Sequence, residues 1–280
     1  MSVALPPRAL IEADVARALA EDLGTGDVSA ALIDPEARGS AQVITREAMV
    51  LAGSAWFEQC FRALDGEIRI DWQYADGDTV TAGSPLCRLH GRSRALLSGE
   101  RSALNFLQTL SATASTTAHH VALLAGTRTR VLDTRKTLPG LRQAQKYAVR
   151  VGGGCNHRMG LFDAVLIKEN HIAAAGGIAA AITRARALWP GLMVEIEVET
   201  LQEYRIALAA RPDRIMLDEL SAADLRQAIA ERPAGIELEL SGGINAERLR
   251  EIAQLGVDYV SIGALTKHVR AIDLSMRWLD

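Results

Sequence analysis

The sequence predicts an α/β protein in which the larger, C-terminal part is an open (β/α) barrel and the N-terminal part is a smaller α/β domain. Three observations carry this. Beyond residue 112, six short apolar runs alternate with helical stretches. Nearly continuous apolar runs between helices are the pattern of parallel strands covered by helices. Each run ends in a charged residue or a glycine loop, as at a barrel mouth, whereas a doubly wound sheet concentrates such residues at one switch point.

The N-terminal part opens with a helix over residues 8–22, because Leu10, Ile11, Val15, Ala18 and Leu19 recur at helical spacing before Gly24-Thr-Gly-Asp27 breaks it. Residues 40–89 read as strand-like, with Gly77 to Leu86 as a turn–strand–turn unit. That unit resembles the hammerhead-like domains related to biotinyl and lipoyl carriers. A carrier needs a lysine in its hairpin, and residues 40–100 contain none, so this piece is scaffold. The predicted divisions are 1–111 for the N-terminal domain, 112–270 for the barrel, and 271–280 for a segment returning to the N-terminal domain.

Composition removes several function classes. Hydrophobic residues are 49% and the net charge is −3, so no overall basic field exists for nucleic acid, and any anion site must be local. Cys60, Cys87 and Cys155 are widely spaced and odd in number, which fits neither a zinc site nor a disulfide framework. The first residues hold no apolar core of signal-peptide length, and no run is long enough to span a membrane. The expectation is a cytoplasmic enzyme without membrane or nucleic-acid partners.

Strands are predicted near 129–133, 164–168, 193–199, 213–218, 236–240 and 258–262, with helices at 177–188, 200–210, 221–230 and 246–254. The first strand runs into Thr134, Arg135 and Lys136, and the second into Lys168-Glu-Asn-His171. Arg158 follows His157 in a loop opened by Gly152-Gly-Gly154, glycines that let backbone approach a ligand. Cations gathered at one mouth of an acidic protein point to a polyanion. Glu195, Glu197 and Glu199 alternate, so they share one face of a strand. They are either ion-pair partners of the lysines or, with Asp218, a seat for Mg²⁺, which takes one or two carboxylates plus phosphate oxygens. Ser241-Gly242-Gly243 and Ser261-Ile262-Gly263 follow the last two strands, where barrels bind phosphate through backbone N–H groups. A terminal phosphate and a metal-bound diphosphate describe phosphoribosyl diphosphate. The residues do not name the acceptor.

Several blocks, in order along nearly the whole chain, resemble quinolinate phosphoribosyltransferase: Glu100-Arg-Ser-Ala-Leu-Asn-Phe-Leu-Gln108, Leu132-Asp-Thr-Arg-Lys-Thr-Leu-Pro-Gly-Leu-Arg142, Gly152-Gly-Gly-Cys-Asn-His-Arg158, Leu166-Ile-Lys-Glu-Asn-His-Ile172, Glu195-Ile-Glu-Val-Glu199 and Ile215-Met-Leu-Asp218. The Thr134–Arg142 block and the pair Asn156-His-Arg158 and Lys168-Glu-Asn-His-Ile172 are the specific ones. The resemblance implies transfer of phosphoribosyl to quinolinate with loss of CO₂, giving nicotinate mononucleotide. It implies a homodimer, or a hexamer built of dimers, with Arg101 acting in the neighbouring subunit. Its substrate-binding positions fall on Arg101, Thr134, Arg135, Lys136, His157, Arg158 and Lys168, with Glu197 and Asp218 also facing Mg²⁺. Its catalytic positions fall on Lys136, Lys168, Glu197 and Asp218, and its phosphate loops on Ser241, Gly242, Gly243, Ser261, Ile262 and Gly263. Two departures bear on pocket shape: Ala112 replaces an expected glycine, and Glu219-Leu220 replaces an expected Asn-Phe. A related enzyme acting on nicotinate is the nearest rival, and the His157-Arg158 pair plus Lys168 favours a dicarboxylate.

Overall fold

The computed structural model describes residues 3–279; residues 1, 2 and 280, at the outer ends of the predicted N-terminal domain and C-terminal segment, lie outside the described residues. The chain forms two compact units. One comprises 1–118, 137–153 and 264–280, the other 119–136 and 154–263.

The first unit begins with α1 (Arg8–Leu23), which buries Ile11, Val15 and Leu19 on one face. Its strands are β1 (Arg38–Thr45), β2 (Met49–Val50), β3 (Arg69–Trp72), β4 (Thr79–Val80) and β5 (Pro85–Arg92), joined by α2 (Ser54–Leu64) and followed by the long α3 (Ser93–Leu123). The strand-like reading of residues 40–89 needs correction at α2. Trp56, Phe57, Cys60 and Phe61 are β-favouring types, yet their spacing buries one helical face. The signal for its start is not local. Asp76 accepts the amides of Gly53 at 2.9 Å and Ser54 at 3.2 Å, capping the helix from 22 residues away.

After α4 (Arg142–Val151) and α10 (Ala264–Lys267), the chain ends in β12 (Leu274–Leu279). This strand pairs antiparallel with β1, from Thr45 opposite Leu274 to Ser40 opposite Leu279, giving the sheet order β12-β1-β5-β3. Trp56, Phe57, Phe61, Leu104, Leu107 and Leu110 are almost fully buried in the core of this unit, each stabilising it by about 1.5–3 kcal/mol. Gly152 belongs here too. A Cβ on it would stand 2.4 Å from the Ala114 carbonyl oxygen of α3. This glycine therefore serves close packing of chain against helix, and not the ligand approach expected from the Gly152–Gly154 run. Cys60 and Cys87 are buried free thiols, and burial pushes Cys60 up to about 12, which keeps it un-ionised and inert.

The second unit contains β6 (Arg130–Leu132), β7 (Val165–Ile167), β8 (Val194–Val198), β9 (Arg214–Asp218), β10 (Glu237–Ser241) and β11 (Tyr259–Ser261). Between them lie α5 (Glu169–Ala175), α6 (Ile178–Leu188), α7 (Leu201–Ala210), α8 (Ala222–Glu231) and α9 (Ala246–Ile252). All six strands are parallel in the order β6-β11-β10-β9-β8-β7. The first strand pairs with the last and the order never reverses, so the sheet winds as a barrel with no switch point. β6 and β7 are not paired with each other, which leaves the barrel open at that seam.

The strands are two-faced. Ile196, Val198, Ile215, Leu217, Leu238, Leu240 and Val260 are buried at 3% exposure or less and alternate with Glu195, Glu197, Arg214, Met216, Glu239 and Tyr259. Cross-strand register sets Glu195, Arg214 and Glu237 at one level, and Glu197, Met216, Glu239 and Tyr259 at the next. The barrel interior is therefore polar. At its lower end the Arg214 guanidinium donates to Glu237 at 2.8 Å and to Glu239 at 3.2 Å, and it lies 4.1 Å from the Tyr259 ring centre. Arg130 stacks on the same ring at 4.7 Å. Among the described residues, no helix is long and apolar enough to cross a membrane.

Candidate active site

A cavity of about 300 Å³ opens at the carboxyl ends of the strands, lined by Thr134, Arg135, Lys136, His157, Arg158, Lys168, Glu197, Ser241 and Ser261 together with Leu166, Met216 and Glu239. Nine positions singled out in the sequence therefore converge. They reach the mouth for local reasons. Asp133, fully buried after β6, accepts the His157 amide at 2.9 Å on one oxygen and the Asn156 side chain at 2.6 Å on the other. Cys155 bridges Leu132 in parallel, so the loop lies along β6 like a short extra strand. That is what brings Arg158 beside Arg135. Lys168 caps α5, where its amide donates to His171 Nδ1 at 3.0 Å, so His171 shapes this turn.

The cavity carries an excess of positive charge. Four permanent cations face two acids, and one of those acids, Glu197, is the ion-pair partner of Lys168. Burial, and then the nearby positive charge of Arg135, make Arg158 give up its proton more readily than usual. Like charges held together in a half-buried place cost stability, and a bound dianion relieves that cost. Leu166 and Met216 add apolar wall, which suits a flat ring. These two and Glu239 were not singled out by the sequence, where Leu166 and Met216 look like ordinary strand residues. Glu239 alternates with Leu238 and Leu240, and that alternation was the available signal.

Other expected positions sit at the rim or elsewhere. Asp218 ends β9 and is partly buried; a Cβ on Gly242 would stand 3.1 Å from its Oδ1. Gly242 and Gly243 have φ of 89° and 55°, so the turn after β10 requires glycine. Gly263 packs on Lys136, whose Cδ would lie 3.0 Å from an added Cβ. Ile262 differs from expectation: its amide donates to the Leu132 carbonyl at 2.9 Å and its side chain is buried, so it offers no donor to a phosphate. Arg101 is not among the cavity-lining residues. It projects from α3 with its side chain 61% exposed, and Glu100 is 3.9 Å away. Glu219 adopts φ of 54°, a left-handed conformation that Asn tolerates better than Glu, which gives the departure at this position a physical meaning.

His157 is not an open cation. Its ring is buried, Nδ1 accepts the Arg158 amide at 2.8 Å, and Nε2 faces Glu195 at 2.9 Å and Glu239 at 3.7 Å. Glu199 is exposed beyond the end of β8, where its carboxylate, with those of Glu197 and Glu169, offers oxygens within 4.8 Å of one another. The acids at the mouth, Glu197 and Asp218 included, thus present hard oxygen donors without Cys or His, which is the donor chemistry Mg²⁺ accepts.

Comparison with known proteins places the chain in a family. Residues 27–111 match the family described as quinolinate phosphoribosyl transferase, N-terminal domain, and residues 113–277 match its C-terminal domain. The chain is 42% identical to a probable nicotinate-nucleotide pyrophosphorylase (carboxylating) of Bacillus subtilis, over 91% of this chain and 89% of that one. It is 38% identical to a quinolinate phosphoribosyltransferase (decarboxylating) of Nicotiana tabacum, over 93% of this chain and 80% of that one. The solved nicotinate-nucleotide pyrophosphorylase of Francisella tularensis superposes with a TM-score of 0.95 at 45% identity, covering 100% of this chain and 99% of that one. With both domains matched in order and relatives of this identity aligned almost end to end, the chain belongs to the quinolinate phosphoribosyl transferase family.

Proposed function

We propose that this protein transfers phosphoribosyl from phosphoribosyl diphosphate to quinolinate and decarboxylates the adduct, giving nicotinate mononucleotide, CO₂ and diphosphate for de novo NAD synthesis in the cytoplasm. The observation that carries the reading is the excess of cations in one small cavity, with Arg135, Arg158 and Lys168 set around the apolar wall of Leu166 and Met216. Two guanidiniums and an ammonium match two carboxylates on a flat ring. A mononegative pyridine such as nicotinate would leave the Arg135–Arg158 repulsion less completely offset.

Each group then has a task. Arg135, Arg158 and Lys168 hold the carboxylates, so that the ring nitrogen faces the ribose C1 carbon. Thr134, Lys136 and the loops at Ser241–Gly243 and Ser261–Gly263 take the phosphates, with Lys136 seated on Gly263. Glu197, paired with Lys168, directs negative field at the ribose as the bond to diphosphate breaks. The ring nitrogen, now cationic, stabilises the electron pair left on the adjacent ring carbon when its carboxylate leaves as CO₂, and that carbon then takes a proton from solvent. Glu197 and Asp218 are the residues that would hold Mg²⁺. When bound, the ion neutralises charge on the departing diphosphate.

The same reading makes the working unit a homodimer, or a hexamer built of dimers, in which Arg101 completes the neighbouring subunit's site. The exposed position of Arg101 on α3 and the exposed apolar Val28 and Leu32 of its unit support this. The test is an assay with Mg²⁺, phosphoribosyl diphosphate and either quinolinate or nicotinate, following CO₂ and mononucleotide. CO₂ release with quinolinate alone is expected. Mononucleotide formed from nicotinate alone would overturn the dicarboxylate assignment.

A further inference from the structure

We propose that Glu239 is a positioning residue for this reaction, a buried tie in the cavity floor that holds the His157 ring on the dicarboxylate side and the Ser261 hydroxyl on the phosphate side. The proposal rests on the function assigned above. Glu239 is fully buried and no part of the chemistry described so far uses it. It lies 3.7 Å from His157 Nε2, accepts the Ser261 hydroxyl, and is anchored from below by Arg214 Nη1 at 3.2 Å. Arg214 is itself fixed by Glu237 and the Tyr259 ring, so the anchor has little freedom.

His157 passes this restraint to the mouth. Its Nδ1 accepts the Arg158 amide at 2.8 Å, which places the ring proton on Nε2, toward Glu195 and Glu239. The Asp133 carboxylate holds the His157 amide at the same time. The ring is thus held at Nδ1 and faces the two carboxylates at Nε2 while Asp133 fixes its backbone, and the backbone of Arg158 is set by it. Glu239 meets both the His157 and the Ser261 branches. Burial, together with the adjacent Glu195 carboxylate, pushes Glu239 up to about 8, so a neutral polar group is an adequate substitute while an apolar one is not.

The experiment compares wild type, Glu239→Gln and Glu239→Met. Both replacements keep volume, and although methionine takes one acceptor from the buried Arg214, that guanidinium keeps its ion pair with Glu237, so the variant is expected to fold at reduced stability. Glu239→Gln should stay within about threefold of wild type in kcat/KM for quinolinate, and Glu239→Met should lose about 30-fold, mostly through a higher KM. In nitrogen-15 spectra of the histidine rings, His157 should stay protonated on Nε2 in all three proteins because the Arg158 amide holds Nδ1, while the Nε2 signal should match wild type in Glu239→Gln and shift or broaden in Glu239→Met. A methionine variant with unchanged KM and an unchanged His157 Nε2 signal overturns the proposal, as does a glutamine variant as impaired as the methionine one. Should the methionine protein not fold, Glu239→Asp, which withdraws the carboxyl by one methylene, should raise KM about tenfold; no change in KM or ring signal overturns the proposal. A wild-type protein inactive on quinolinate refutes the assigned function, and the ring spectra still decide the role of Glu239.

Discussion

Replacing Arg158 with alanine should separate function from stability in opposite directions. The side chain is half-buried beside Arg135, and its hydrogen bond to the Ala164 carbonyl is long, at 3.4 Å. It therefore contributes little to the fold, and its charge lies between the repulsion of Arg135 and the attraction of Glu195 and Asp163. In a complex with quinolinate it would make one or two charge-assisted hydrogen bonds to a carboxylate, each of about 1.5–3 kcal/mol. Taking about 3–4 kcal/mol as the loss, kcat/KM for quinolinate should fall by about 10²–10³. Removing the repulsion from Arg135 should meanwhile leave the ligand-free protein as stable as before, or more stable by up to about 1 kcal/mol, equivalent to a rise of about 2–4 °C in Tm. Initial-rate kinetics over a range of quinolinate, together with thermal melts without ligand, check both parts. Activity within about tenfold of wild type, or about 1.4 kcal/mol in barrier, would refute the substrate role. A fall in Tm of more than about 5 °C would show that the residue holds the fold instead.

Three further outcomes follow from the geometry. Glu239 is raised in the folded state to about 8 from an unfolded value of 4.5. Its contribution to stability is therefore fully present below pH 4.5 and is lost as pH rises through about 8, so urea melts of Glu239→Gln should show a flatter decline across that window than wild type; parallel curves would remove Glu239 as the cause. Gly152→Ala should destabilise the protein by about 1–3 kcal/mol, because the added methyl meets the Ala114 carbonyl oxygen at 2.4 Å; an unchanged denaturation midpoint would mean that α3 yields easily. Arg101→Ala and Lys136→Ala proteins, each inactive alone, should recover up to about a quarter of wild-type activity per site when mixed, if one subunit's Arg101 serves the other's cavity; no recovery despite proven subunit exchange would refute a shared site.

Much of the barrel was legible in the sequence because each of its signals is local. Five-residue strands such as Val194–Val198 and Arg214–Asp218 lie between helices with strong starts, such as the Thr200–Glu203 capping box before α7. The charged strand ends at Arg135, Lys136, Lys168 and Asp218 mark the mouth for the same reason. α2 was not legible, since its aromatic face imitates a strand and its cap arrives from Asp76. The roles of the glycines were only partly legible. Gly242 and Gly263 serve the mouth, while Gly152 serves a helix contact that no neighbouring residue announces.

By itself the sequence determined the class of fold, the parallel strands, and the set of cations and acids gathered at their ends, because periodicity and strand-end chemistry are properties of short stretches. Only the tertiary structure decided what those groups do to one another. That Glu197 is tied to Lys168, that Arg158 strains against Arg135, and that His157 has both ring nitrogens engaged are consequences of register between strands far apart in the chain. The same register buries Glu195 and Glu239 together, where burial raises both and the Glu195 carboxylate raises Glu239 further. Such couplings depend on distances of a few ångströms across the barrel, and a linear sequence does not encode those distances residue by residue.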